Sequence, residues 1–126
     1  MATANQTVSK VLNHLLQNGG GNSKVVEEWH EGTDWYRIWS NGFMEQVVHV
    51  PSKTWYNGSG SAATVSLRKA YGNNSYTALL QPGTGMGENE VEFWVKDKST
   101  SSMSVGMTAY DRKSQTCGLM VYTCGY

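Results

Sequence analysis

Charge is scarce in this chain, and neither sign prevails. Only 16% of the 126 residues are Asp, Glu, Lys or Arg, and ten basic residues cancel ten acidic ones. A nucleic-acid-binding surface needs a basic footprint to neutralise phosphates, so nucleic acid is not an expected partner. No run approaches the ~20 apolar residues of a membrane span, so no membrane insertion is expected. Met1 to Asn5 shows no basic segment leading into an apolar run, and no secretory signal is read there. Cysteine occurs only at Cys117 and Cys124. In one extended segment these two point to opposite faces, too far apart to pair, and they form no CxxC pattern. They read as two thiols of a chain made in a reducing cytosol.

Chemistry-bearing motifs are missing as well. Gly58-Ser59-Gly60-Ser61 lacks the strand-turn-helix setting of a nucleophile elbow and reads as a loop. The loop Pro82 to Gly87 has no Gly-Lys-Ser/Thr to cradle a phosphate. His14, His30 and His49 fall in separate elements without metal-ligand spacing, although a three-fold axis could gather three copies of His49. Glu88, Glu90 and Glu92 share a strand face. Calcium is one reading of that spacing, and a charged edge that resists aggregation is the other. The chain is therefore expected to be no enzyme, with no catalytic residue, metal or cofactor.

What remains is β-rich. The stretch WYRIWSNGFMEQ, Trp35 to Gln46, places Asn41-Gly42 between two aromatic and β-branched runs. Asn-Gly predicts a two-residue type I′ hairpin turn. That register would set Trp35, Arg37, Trp39, Met44, Gln46 and Val48 on one face. Tyr36, Ile38, Phe43, Glu45 and Val47 would lie on the other. Neither face is cleanly polar, so both should be covered, one by the core and one by a second subunit. Further strands are expected at Ser23–His30, Thr64–Ala70, Tyr76–Gln81, Glu88–Lys96, Met103–Tyr110 and Thr116–Thr123. Pro51, which has no N–H to donate, should end the second hairpin strand. About eight short strands at even spacing predict a mostly β chain folded as an antiparallel β-sandwich. One helix is expected over Ala4–Asn18, where Val8, Val11, Leu12, Leu15 and Leu16 form an apolar stripe, followed by a Gly-rich linker. The organisation read from this is a helix and linker over 1–22 and a sandwich over 23–126.

The hairpin motif resembles the opening hairpin of the C-terminal tip domain of bacteriophage tail fibres. TVSLRKAYGNNSYTALLQP, Thr64 to Pro82, and the ending Tyr122-Thr123-Cys124-Gly125-Tyr126 are similar to later parts of that family, in the same order. One departure is Val47-Val48, where the family often has glycines. The resemblance implies a homotrimeric virion component, made in the host cytoplasm, whose tip binds a bacterial surface glycan or outer-membrane receptor without covalent chemistry. Alternatives are a trimerisation or fibre-capping element without receptor contact, and a polysaccharide depolymerase fragment.

Rings and short amides on loops suit sugars, which have apolar C–H faces and hydroxyl rims. This makes Trp55, Tyr56, Asn57, Tyr71, Asn73 and Asn74 the candidate receptor-binding residues. Packing is the competing role for Trp55, Tyr56 and Tyr71.

Overall fold

The computed structural model describes residues 23–58, 61–83 and 91–126. The expected helix and linker lie outside these residues. The described strands are β1 (Val25–Glu31), β2 (Asp34–Trp39), β3 (Met44–Trp55), β4 (Ala63–Ser66), β5 (Thr77–Pro82), β6 (Val91–Lys98), β7 (Ser102–Ala109) and β8 (Gln115–Gly125). They form a five-stranded sheet in the order β1-β2-β3-β8-β5 and a three-stranded sheet in the order β4-β7-β6. Every strand pairing in both sheets is antiparallel.

The core lies between the sheets. Met44, Val48, Cys117, Leu119 and Val121 come from the larger sheet, and Val65, Met103, Val105, Met107 and Ala109 from the smaller one. Alternation along β8 puts Gln115, Cys117, Leu119, Val121 and Thr123 inward, the period-2 pattern of a strand with one buried face. Both cysteines are free, with Cys117 buried and Cys124 only partly so, as expected for opposite faces of one strand.

The β2–β3 hairpin corrects the expected register. Trp39 N–H donates to Phe43 O (2.8 Å) and Gly42 N–H to Trp39 O (2.9 Å). Gly42 has φ +87°, whereas Asn41 does not have positive φ. The loop is therefore three residues, Ser40 to Gly42, a tight turn closed by a glycine in left-handed conformation. One extra loop residue moves β3 by one position, so Ile38 faces Met44, Arg37 faces Glu45 and Trp35 faces Val47. A one-residue slip exchanges the faces of a strand. Met44, Gln46 and Val48 thus join Ile38 on the core side, while Glu45 and Val47 join Trp35, Arg37 and Trp39 outside.

Pro51 does not end β3. The β3–β8 ladder shifts register between Val50 and Lys53, which lifts Pro51 and Ser52 out of the pairing. This bulge accommodates the missing N–H, and the strand continues to Trp55.

The expected strand Thr64–Ala70 is cut to Ala63–Ser66. Its second half leaves the smaller sheet because its N–H groups bind elsewhere. Gln46, 0% exposed, accepts from Arg68 N (2.9 Å) and Lys69 N (3.2 Å) and donates Nε2–H to Lys69 O (2.8 Å). The side-chain amide thus stands in for a neighbouring strand. Buried Asp34 adds a second anchor. Its Oδ2 accepts from Arg68 Nε (2.6 Å), and its Oδ1 accepts the His49 N–H (2.8 Å).

Candidate functional site

The six candidate receptor residues do not form one surface. Trp55 is 2% exposed and Tyr71 4%. Trp55 donates Nε1–H to Cys117 O (3.0 Å) and meets Phe93 edge to face at 5.1 Å. Tyr71 stacks on Tyr76 at 4.4 Å, and its hydroxyl pairs with Thr123 Oγ1 (2.8 Å). Burial pushes the Tyr71 hydroxyl above its usual pKa, and the Thr123 hydrogen bond only partly opposes that. Both rings belong to the core of the protomer, where they pack between the sheets. A Trp or Tyr can be buried this deeply because each polar tip finds a partner.

The other four differ. Asn57 lies beside β7, where its Oδ1 accepts the Ala109 N–H (2.8 Å). Tyr56 is 60% exposed. Asn73 closes its own turn by accepting Ser75 N–H (2.8 Å), while Asn74 reaches Lys98 O (3.4 Å). Trp55 and Tyr71 bond β8 at Cys117 and Thr123, six residues apart. At ~3.3 Å per residue that is roughly 20 Å, so the two groups sit near opposite ends of the sandwich.

The outer faces of the two sheets contrast. That of the five-stranded sheet carries Trp35, Trp39, Val47, Leu79, Met120 and Tyr122, in registers Trp35–Val47–Tyr122–Leu79. No described element covers it. A cavity of about 400 Å³ is open there, lined by Val47, Leu79, Leu80, Gln81, Met120 and Tyr122. A polar track crosses this apolar face. Arg37 bonds Glu28 (3.1 Å) and approaches Glu45 (3.8 Å), and Glu45 accepts from the Tyr122 hydroxyl (3.0 Å). Burial, and then the Glu45 carboxylate beside it, raise the Tyr122 pKa. Arg37 also lies over the Trp35 ring at 5.6 Å, and its buried Nε has no hydrogen-bond partner among the described residues. The sequence placed Val47 in the hairpin and did not associate it with β5 and β8. Leu79 and Met120, each in an alternating strand, were the available signal.

At the β1 edge, Trp29 stacks on Tyr36 at 5.6 Å with Arg68 above it. Glu27 accepts from the Tyr36 hydroxyl (2.7 Å) and Lys69 Nζ (3.0 Å), and both lower its pKa. These contacts tie the 67–71 segment to β1 and β2. Among the described residues no cluster of three or more His, Cys, Asp or Glu is placed to hold a metal.

No family model matches the chain, and no curated protein matches it by sequence. Solved structures do match in three dimensions. An R2 pyocin fibre of P. aeruginosa, comprising C-terminal residues, superimposes with TM-score 0.61 at 11% identity, covering 100% of this chain and 30% of that one. An N-truncated R1-type pyocin tail fibre gives TM-score 0.62 at 14% identity, covering 100% of this chain and 98% of that one. A C-terminal fragment of the P. aeruginosa R1 pyocin fibre gives 0.61 at 14%, with 32% of that chain covered. The chain spans about a third of the longer fibre fragments. The antiparallel sandwich expected from the strand spacing is the one observed, and this chain has the fold of the C-terminal part of a pyocin tail fibre, a phage-tail-like structure.

Proposed function

We propose that this chain is the tip domain of a phage or phage-tail-like fibre. In this reading it assembles as a homotrimer and binds a glycan or outer-membrane component of a bacterial surface without chemical turnover. The observation that carries it is the apolar outer face of the five-stranded sheet in a fold shared with pyocin fibres. Contiguous exposed apolar patches rimmed by polar groups mark interaction surfaces. A neighbouring copy would cover Trp35, Trp39 and Leu79 and fill the cavity beside Met120. Trimerisation would also present each receptor contact three times, and linked weak sites gain ~10²–10⁴-fold in avidity. Tyr56, Asn73 and Asn74 keep their place as receptor contacts in this reading.

The burial of Trp55 and Tyr71 favours a second reading, an element that trimerises or caps the fibre while another protein holds specificity. Labelled chain incubated with a panel of bacterial strains separates the two. Saturable binding that Tyr56→Ala and Asn73→Ala weaken supports the tip reading. A stable trimer that binds no strain supports the capping reading.

A further inference from the structure

The three-stranded sheet has a different outer face. Thr64, Ser104 and Thr108 lie on it with Glu92, Asp97 and one aromatic ring, that of Trp94. Phe93 and Val95 alternate inward with Met107 and Val105 opposite them, so Trp94 must point out. An indole on an otherwise hydroxyl-rich face needs a reason. Its direct partner is Gly106, and any Cβ at that position would collide with the Trp94 ring. The ring therefore lies flat on the Gly106 backbone. Its Nε1–H donates to Thr108 Oγ1 (3.0 Å), which fixes the ring's rotation. One π-face is covered by backbone, and the side chain is part-exposed among the described residues. Thr108, which holds the ring, also lines a cavity of about 260 Å³ with Val91, Glu92 and Tyr110, and Tyr110 is 85% exposed.

We infer that Trp94, with Tyr110 across the cavity that Thr108 lines, forms a stacking subsite for an uncharged or amino-sugar pyranose. This rests on the reading of the chain as a surface-binding fibre tip. A pyranose presents an axial C–H face that packs on a fixed ring, and equatorial hydroxyls that reach hydroxyl and carboxylate partners at its rim. Thr108, Ser104 and Glu92 supply that rim. Glu92 and Asp97 outnumber the one exposed cation between them, Lys96, and none of the three forms an ion pair with described residues, so the local field opposes uronic acids and phosphorylated sugars. The location suits the proposed assembly. If the apolar sheet faces neighbouring copies, the polar sheet faces outward.

The ring also shields Gly106, so Trp94→Ala could act by loosening the sheet. Two measurements avoid that ambiguity. The first follows the five indole N–H signals of the intact chain by ¹H–¹⁵N NMR, assigning Trp94 with Trp94→Phe. The probes are neutral methyl hexopyranosides, methyl glucuronide, and water-soluble polysaccharide released by mild acid from a strain the chain binds. The second measures binding of that polysaccharide by Tyr110→Ala, whose exposed ring supports no packing. The inference expects the Trp94 signal to move with the polysaccharide and the neutral sugars but not with glucuronide. It also expects Tyr110→Ala to weaken polysaccharide binding about tenfold, the order of one lost stacking contact. Strain binding with an unmoved Trp94 signal and an unaffected Tyr110→Ala chain overturns the subsite and leaves the tip reading standing. Binding to no strain, with no indole moved by any monosaccharide, overturns both.

Discussion

Trp55 and Tyr56 are adjacent in sequence and should respond oppositely to truncation. Trp55 fills the space between the sheets against Phe93 and bonds the Cys117 carbonyl. Removing a buried Trp side chain costs about 3–5 kcal/mol, from lost transfer energy and the cavity left behind. A domain of this size has about 5–15 kcal/mol to lose, so Trp55→Ala should leave little stability. Trp55→Phe retains a ring facing Phe93 and loses chiefly the N–H, which puts its cost at about 1–2 kcal/mol. Tyr56→Ala, on an exposed ring, should stay within about 0.5 kcal/mol. Urea unfolding followed by circular dichroism, with all four proteins at one concentration, reads these differences. The order should be wild type, Tyr56→Ala, Trp55→Phe, Trp55→Ala, from most to least stable. A Trp55→Ala protein as stable as wild type that fails only in cell binding would refute the assignment of Trp55 to the core.

Gln46→Leu should cost about 3 kcal/mol in the same assay, since it removes three hydrogen bonds that hold the 67–71 segment. It should also speed amide exchange at Arg68 and Lys69, and unchanged exchange there would exclude the anchoring role. Gly42→Ala forces a side chain into φ +87° and should cost about 1–2 kcal/mol, with the hairpin loop as the most perturbed region by NMR. Alkaline pH should destabilise the fold. Burial raises the pKa of Tyr71, Tyr76 and Tyr122 above 10.0 and that of Cys117 above 9.0. The folded state then keeps protons that the unfolded state releases, so this stability is complete below pH 9.0 and falls as pH rises past 9.0 to 10.0. Unfolding midpoints that stay level through pH 11.0 would contradict this, and Tyr71→Phe should flatten the decline.

Strand number and the core of β6, β7 and β8 were legible because those strands alternate cleanly. Val91, Phe93 and Val95 point inward as their spacing predicts, and Glu92 and Trp94 point outward. The hairpin was legible as a hairpin but not in register. Asn-Gly serves both a two-residue turn and the end of a three-residue one, and only the backbone angles distinguish them. That single residue decides whether Ile38 or Trp35 shares the core face with Gln46. Pro51 misled for a related reason, since local chemistry forbids a ladder bond but a bulge can remove the need for one. The candidate receptor residues Trp55 to Asn57 and Tyr71 to Asn74 lie among Gly, Ser and Asn, a composition that reads as loop. Trp55 proved to end a strand, and Tyr71 belongs to a segment held down by Gln46, a partner more than twenty positions away. Long-range side-chain anchors of this kind leave no local periodicity to read. The alternation of Val91, Phe93 and Val95 turns Trp94 outward, but its setting depends on Gly106 lying opposite, which is a pairing between strands.

The account turns on the outer face of the five-stranded sheet being an interface between copies. Light scattering of the purified chain at micromolar concentration measures this directly. The account predicts a single species of three times the 13.9 kDa chain mass. A species of 13.9 kDa, with Trp35, Trp39 and Leu79 left in water, would contradict it.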